Sequence, residues 1–142
     1  MDKRMKIIPE HKLDFDACKN LQLASDEQII NDLPALLEWL QDINWPVARY
    51  VRDRIQNLGS PLIEPTRTIL NGSDDVWKYS IACHLLPCTS KEVINALKPE
   101  LLRLANNPTK SEELEEVNLA VQELLENVLK ITKAELDAST PA

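Results

Sequence analysis

Cys83, His84 and Cys88 are the most closely spaced residues whose types could do chemistry. A zinc site needs four converging ligands, usually with one pair of cysteines two to four residues apart. Here the cysteines stand five positions apart, and the only other histidine is His11. The spacing fails the metal rule. Two small buried thiols, with a histidine on the least apolar side of a helix near Ser80, account for the same residues. A cysteine hydrolase needs a thiolate, a base and an orienting group in one pocket. Cys18 with His11 or His84 has the residue types, but nothing in the sequence assembles them. Asp74-Asp75 reads as favourable charge at a helix start before it reads as a catalytic pair. With only Gly59 and Gly72 in the chain, a glycine-rich phosphate loop is excluded. No catalytic residue, metal ligand or cofactor is expected.

Two constellations suit recognition instead. Trp45, Arg49, Arg52 and Gln56 fall within about 60° of one another when projected at about 100° per residue. They lie opposite the apolar stripe of their helix, and Asp42 precedes them in the turn. A tryptophan beside two arginines has the composition of a protein-binding hot spot for an acidic partner. The competing reading turns Trp45 under the preceding loop to pack with Trp39 or Ile43. Trp77, Lys78, Tyr79 and His84 form the second set, the lining of an apolar pocket between the second and fourth helices. Core packing competes there, because that helix is apolar almost all round.

The elements that carry these residues are helical. Two glycines among 142 residues disfavour the many tight turns a strand-rich fold needs. Met1 to Asp14 reads as an extended lead-in (1–13), followed by a short helix to Leu23. Ser25 with Gln28 is a capping box for Ile29, Leu33, Leu36 and Leu40, a run that Pro34 either restarts or kinks. Asn44 and Pro46 suit the start of a helix ending at Gly59. A third helix spans about Ser60 to Leu70. Ser73 caps a fourth that reaches Leu86, and Thr89 with Glu92 caps the next. Thr109 with Glu112 opens the longest, to about Leu136. Its Leu114, Val117, Val121, Leu124, Val128 and Ile131 form an a/d seam. Ala120, Leu125 and Leu129 widen that seam, which favours docking on the chain's own helices over a coiled-coil dimer. A frayed tail closes the chain (138–142).

Pro34, Pro65 and Pro99 each lead a helix, a short polar turn and a second helix; they stand 31 and 34 residues apart. That period is the signature of stacked helical hairpins. The expected fold is therefore all-α: antiparallel helix pairs stacked as a short HEAT-like α-solenoid in one domain (1–142), with a long C-terminal helix. The formal charge of −7 opposes binding to nucleic acid. No apolar run has signal-peptide or membrane-spanning length, and three cysteines at irregular spacing make no disulfide framework. A cytoplasmic monomer is expected.

The stretch Leu33 to Ala48, with its Trp45-Pro46 element, resembles the hallmark of a bacterial family known only as domain of unknown function 5071. Ile69-Leu70-Asn71-Gly72 with Asp75-Val76-Trp77-Lys78-Tyr79 resembles its second signature. Leu97-Lys98-Pro99-Glu100-Leu101 with Ala105-Asn106-Asn107-Pro108 resembles the third. The likeness runs from about Pro9 to Val128. It implies a helical, HEAT-like fold and brings no established activity, so no family residues carry over. The function expected is a non-enzymatic protein–protein interaction module of unknown partner. The alternative is a small enzyme or ligand-binding protein with a pocket near Trp77 and His84.

Overall fold

Five of the helices begin where a short polar side chain accepts a free backbone N–H. The computed structural model describes residues 6–130. Asp14 caps α1 (Phe15–Leu23) and Ser25 caps α2 (Asp26–Asn31). Pro34 starts a new segment, α3 (Leu33–Leu37), which tightens into a 3-10 turn at Glu38–Gln41. After a turn come α4 (Ala48–Ile55), a 3-10 turn at Ser60–Leu62 and α5 (Ile63–Leu70). Next, α6 (Asp75–Ser80) widens into a π turn at Ile81–Leu85 and closes with a 3-10 turn at Leu86–Cys88. Then follow α7 (Lys91–Ala96), α8 (Lys98–Asn106), α9 (Lys110–Leu114) and α10 (Val117–Val128). No strand occurs among the described residues.

One apolar core joins these elements, from Ile7 and Leu21 through Leu36, Val51, Leu70 and Leu85 to Leu101 and Val121. α1 packs on α4, α5 on α6 and α8, and α10 lies across α8, α6 and the π turn. Long polar side chains reach between neighbours to carbonyls that helix ends leave unpaired. Arg54 donates to Ala24 O at 3.0 Å, Trp77 Nε1 to Leu37 O at 3.1 Å, and Arg67 to Ala96 O at 2.8 Å. Gln122 does the same for Ala105 O at 2.9 Å. Each such bond ties one element to another across the core.

Several expectations are corrected. Asn44 does not cap α4. Its own N–H is held by Asp42 Oδ1 at 2.8 Å, and the helix starts four residues later, without a side-chain cap. Asp74 rather than Ser73 caps α6, and Ser90 rather than Thr89 caps α7. The described part of the lead-in, residues 6–13, packs on the core: Ile7 and Pro9 are buried, and Pro9 O accepts from Trp39 Nε1 at 3.1 Å. Pro87 has no N–H for Cys83 O, so the helix before it widens, with Leu86 N–H reaching back to Ile81 O.

The long C-terminal helix is broken at Glu116, whose φ is 61°. Glu112 and Val117 are both buried. Five positions apart in one straight helix, they would face directions about 140° apart. The left-handed residue re-aims the chain so that both reach the interior. The a/d seam is consequently interrupted: Leu114 is 74% exposed, while Val117, Val121 and Leu124 are buried within the molecule. Ile131, Leu136 and the tail at 138–142 lie outside the described residues.

Candidate functional site

α6 carries Trp77, Lys78 and Tyr79 of the second recognition set and points them to different surroundings, while His84 follows in the π turn. Lys78 is not a pocket residue. It is only 3% exposed and bonds Asp75 Oδ1 at 2.8 Å and Glu112 Oε2 at 2.7 Å. Burial opposes its charge, but the two carboxylates more than reverse this and hold the ammonium above its ordinary range. Trp77, one residue earlier, faces a different groove. That groove is apolar, about 340 Å³ in volume, and is walled by Leu37, Pro65, Ile69 and Trp77.

Tyr79 and His84 instead meet Asp42. With Gln41, Asn44 and Ser80 they surround a depression of about 310 Å³ between the turn before α4 and the π turn. Residues from the two sequence sets, 37 and 42 positions apart, thus share one site. His84 is held below its ordinary pKa first by burial, then by the positive charges of Arg52 and Arg49. Arg52 pairs with Asp53 at 3.1 Å, whereas Arg49 is exposed and makes no ion pair among the described residues. The Cys83 thiol beside Tyr79 keeps that phenol protonated to higher pH than usual.

Trp45 is not part of the helical stripe, because it precedes the first turn of α4. It is half-buried, edge-on to Trp39 with ring centroids 5.4 Å apart. The two tryptophans wall a second groove of about 490 Å³, and Gln41 lines both this groove and the His84 depression. Gln56, half-buried at the end of α4, lines neither.

The depression holds Ser80, His84 and Asp42, the residue types of a hydrolase triad. Its geometry is different. The Ser80 hydroxyl is buried and has no hydrogen-bond partner among the described residues, so neither His84 nor Asp42 activates it. A buried hydroxyl without a partner costs stability. Ser80→Ala is therefore expected to leave stability unchanged or to raise it by up to about 1 kcal/mol in urea denaturation. A clear loss would mean that the hydroxyl has a structural partner.

Cys18 is buried, and burial raises its thiol pKa, which makes it a poor nucleophile. Cys83 is raised by burial too, although the Tyr79 hydroxyl works against this. The exposed Cys88 points its thiol at the His84 carbonyl, 3.8 Å away. Among the described residues no three His, Cys, Asp or Glu side chains gather to hold a metal ion, and no helix is long and apolar enough to cross a membrane.

The buried Lys78 cluster and the convergence of Asp42 with His84 escaped sequence reading, since both depend on contacts between distant segments. The Trp-Lys-Tyr and Trp-Pro elements did mark the neighbourhood. No curated protein matches the chain. The model of one family, described as a domain of unknown function (DUF5071), matches residues 7–125, which carry all of these features; the chain belongs to that family.

Proposed function

We propose that this chain is a non-enzymatic protein-interaction module, a HEAT-like stack of helical hairpins that offers the face between α4 and the π turn to another protein. One observation carries the reading: Asp42 and Asn44 of the turn before α4 share one depression with Tyr79 and His84, and the Ser80 hydroxyl within it has no hydrogen-bond partner among the described residues. Arg49 and Tyr79 are both exposed, and arginine and tyrosine are residue types that anchor interfaces. The net charge of −7 favours a protein over a nucleic-acid partner.

A photo-crosslinking side chain placed at the exposed Asn44, in the full chain inside its native cell, tests this. One saturable adduct is expected. Arg49→Glu with Tyr79→Ala should abolish it, and Lys91→Glu, a charge change on the distant α7, should not. An adduct pattern unaffected by the first pair of changes would sink the reading.

A second reading rests on the Trp77 groove. Its volume of about 340 Å³ and apolar walls suit a small apolar ligand. Native mass spectrometry of the purified chain would reveal such a molecule, and Trp77→Ala should release it.

A further inference from the structure

The chain has three tryptophans, and their indole N–H groups are not equivalent. Trp39 donates to Pro9 O and Trp77 to Leu37 O, both at 3.1 Å. The indole N–H of the half-buried Trp45 has no partner among the described residues. A buried indole N–H usually has one. Trp45 and Trp39 wall the groove of about 490 Å³, with Ile8, Pro9 and Ala35 as its other apolar walls. Lys12, Glu38 and Gln41 line it too, and none of their side chains makes a hydrogen bond or ion pair among the described residues. Ties beneath the groove set its shape. Pro9 O holds the Trp39 ring, and the Val47 N–H donates to Lys12 O at 3.2 Å, which pins the lead-in to the turn carrying Trp45. The two rings meet at 72°, a corner rather than a stack.

Building upon the interaction reading above, whose depression adjoins this groove through Gln41, we propose that the groove takes a proline-rich segment of the protein partner, with one basic residue facing Glu38. Three features select that occupant. The first is hydrogen bonding. A run of prolines offers carbonyls and no N–H. The groove's free side chains supply the donors: the Trp45 indole, the Gln41 carboxamide and the Lys12 ammonium. An ordinary extended chain would bring N–H groups as well. Once Glu38 holds a cation, only the Gln41 oxygen among those side chains is left to accept them. The second is shape. Proline rings lie flat against aromatic walls, and the polyproline helix is already ordered before it binds. The third is charge. Glu38 is exposed and unpaired, and the net charge of −7 favours a cationic partner. Lys12 in the same groove opposes a run of cations, so one is the fit.

The three indole N–H signals, followed by heteronuclear NMR of the full chain, test this. Trp45→Phe and Trp77→Phe assign them. The first probe is an acetylated and amidated peptide with three prolines on each side of one arginine. The second replaces its prolines by alanine, and the third replaces its arginine by glutamine. Each is added to roughly 5 mM, enough to fill a site of millimolar Kd. The first should move the Trp45 indole signal to saturation and leave that of Trp77 in place, since Trp77 lies in another groove. The alanine peptide should move neither. The glutamine peptide should bind about two- to fivefold more weakly, the scale of an exposed ion pair.

Trp45→Phe keeps an aromatic wall and removes the donor. It should weaken the first peptide by about three- to tenfold, read from the Trp39 signal. Glu38→Gln, at an exposed position, should bind the arginine and glutamine peptides equally. An unmoved Trp45, an equal movement of Trp77, or equal affinity for the alanine peptide overturns the proline groove. A Trp45 signal that moves with protein concentration alone also overturns it, in favour of a second copy of the chain. A preference for arginine that survives in Glu38→Gln overturns the charge assignment. The crosslinking experiment reads separately. An adduct at Asn44 that persists while Trp45 ignores the proline peptide leaves the interaction module standing and removes only the proline segment.

Discussion

Lys78→Ala is expected to lower the unfolding free energy by about 3–5 kcal/mol, the loss seen when one partner of a buried ion pair is removed. Lys78 joins Asp75 of its own helix to Glu112 of α9, a residue only 1% exposed. Every lone-pair direction of the Glu112 carboxylate is used. Oε1 accepts from Arg103 at 2.9 Å and from the Thr109 N–H at 2.8 Å, and Oε2 accepts from Arg103 at 2.8 Å and from Lys78 at 2.7 Å. Ser111 donates to the other oxygen of Asp75. The cluster contains two cations and two anions and is thus neutral as a whole. Removing the ammonium leaves a carboxylate with less than full compensation in a place water does not reach. A domain of this size has a stability of about 5–15 kcal/mol, so the loss is a large share of it. Urea denaturation at neutral pH, followed by tryptophan fluorescence, would show a lower midpoint with the slope unchanged. Lys78→Met keeps much of the packing of the aliphatic stem and still loses the charge; it should fall nearly as far. A loss of under about 1 kcal/mol, the scale of an exposed pair, would show that the cluster is solvated in solution.

The same cluster marks where sequence reading succeeds and stops. Thr109 and Glu112 form the capping box that their spacing announces, with bonds of 3.1 and 2.8 Å. That is a local rule acting over three residues, and local rules are legible. The second role of Glu112 depends on Lys78, 34 positions away, which no periodicity reveals. The expected caps at Ser73 and Thr89 missed by one residue, each next to another good acceptor, Asp74 or Ser90, whereas Asn44 lies three residues before the N-cap position of α4, which has no side-chain cap. Choosing between such neighbours requires the direction of chain entry, which tertiary packing sets. The break at Glu116 has no proline or glycine to announce it. It follows from two buried demands on opposite faces. The candidate depression was half visible: both residue sets were found, but their meeting depends on how the turn before α4 packs against the π turn.

Acid should unfold the protein through these same carboxylates. Glu112 is lowered from 4.5 to about 2, first by the Arg103 guanidinium and then, against the cost of burial, by Lys78 and the Thr109 N–H. Asp14 is lowered from 3.8 to about 2 by Lys6, which it meets at 2.7 Å, and by the N–H groups of Glu10 and Ala17. The sign follows from proton counting. Both folded-state pKa values lie below the unfolded ones, so between them the unfolded chain binds more protons than the folded chain. Stability from these groups is therefore complete above about pH 4.5 and is lost as pH falls toward about 2. Urea midpoints measured across that window should drop steeply. Glu112→Gln should be less stable than the parent at pH 7. Its curve should be flatter, and the gap should close toward pH 2, where the parent has lost the same charge. Asp14→Asn should flatten the curve to a lesser degree, because its partner Lys6 is 44% exposed and water screens the pair. A gap between Glu112→Gln and the parent that stays constant from pH 7 to about pH 2 would mean that the carboxylate titrates at its ordinary value. The buried bridge between α6 and α9 would then not be the electrostatic clamp that its four bonds describe.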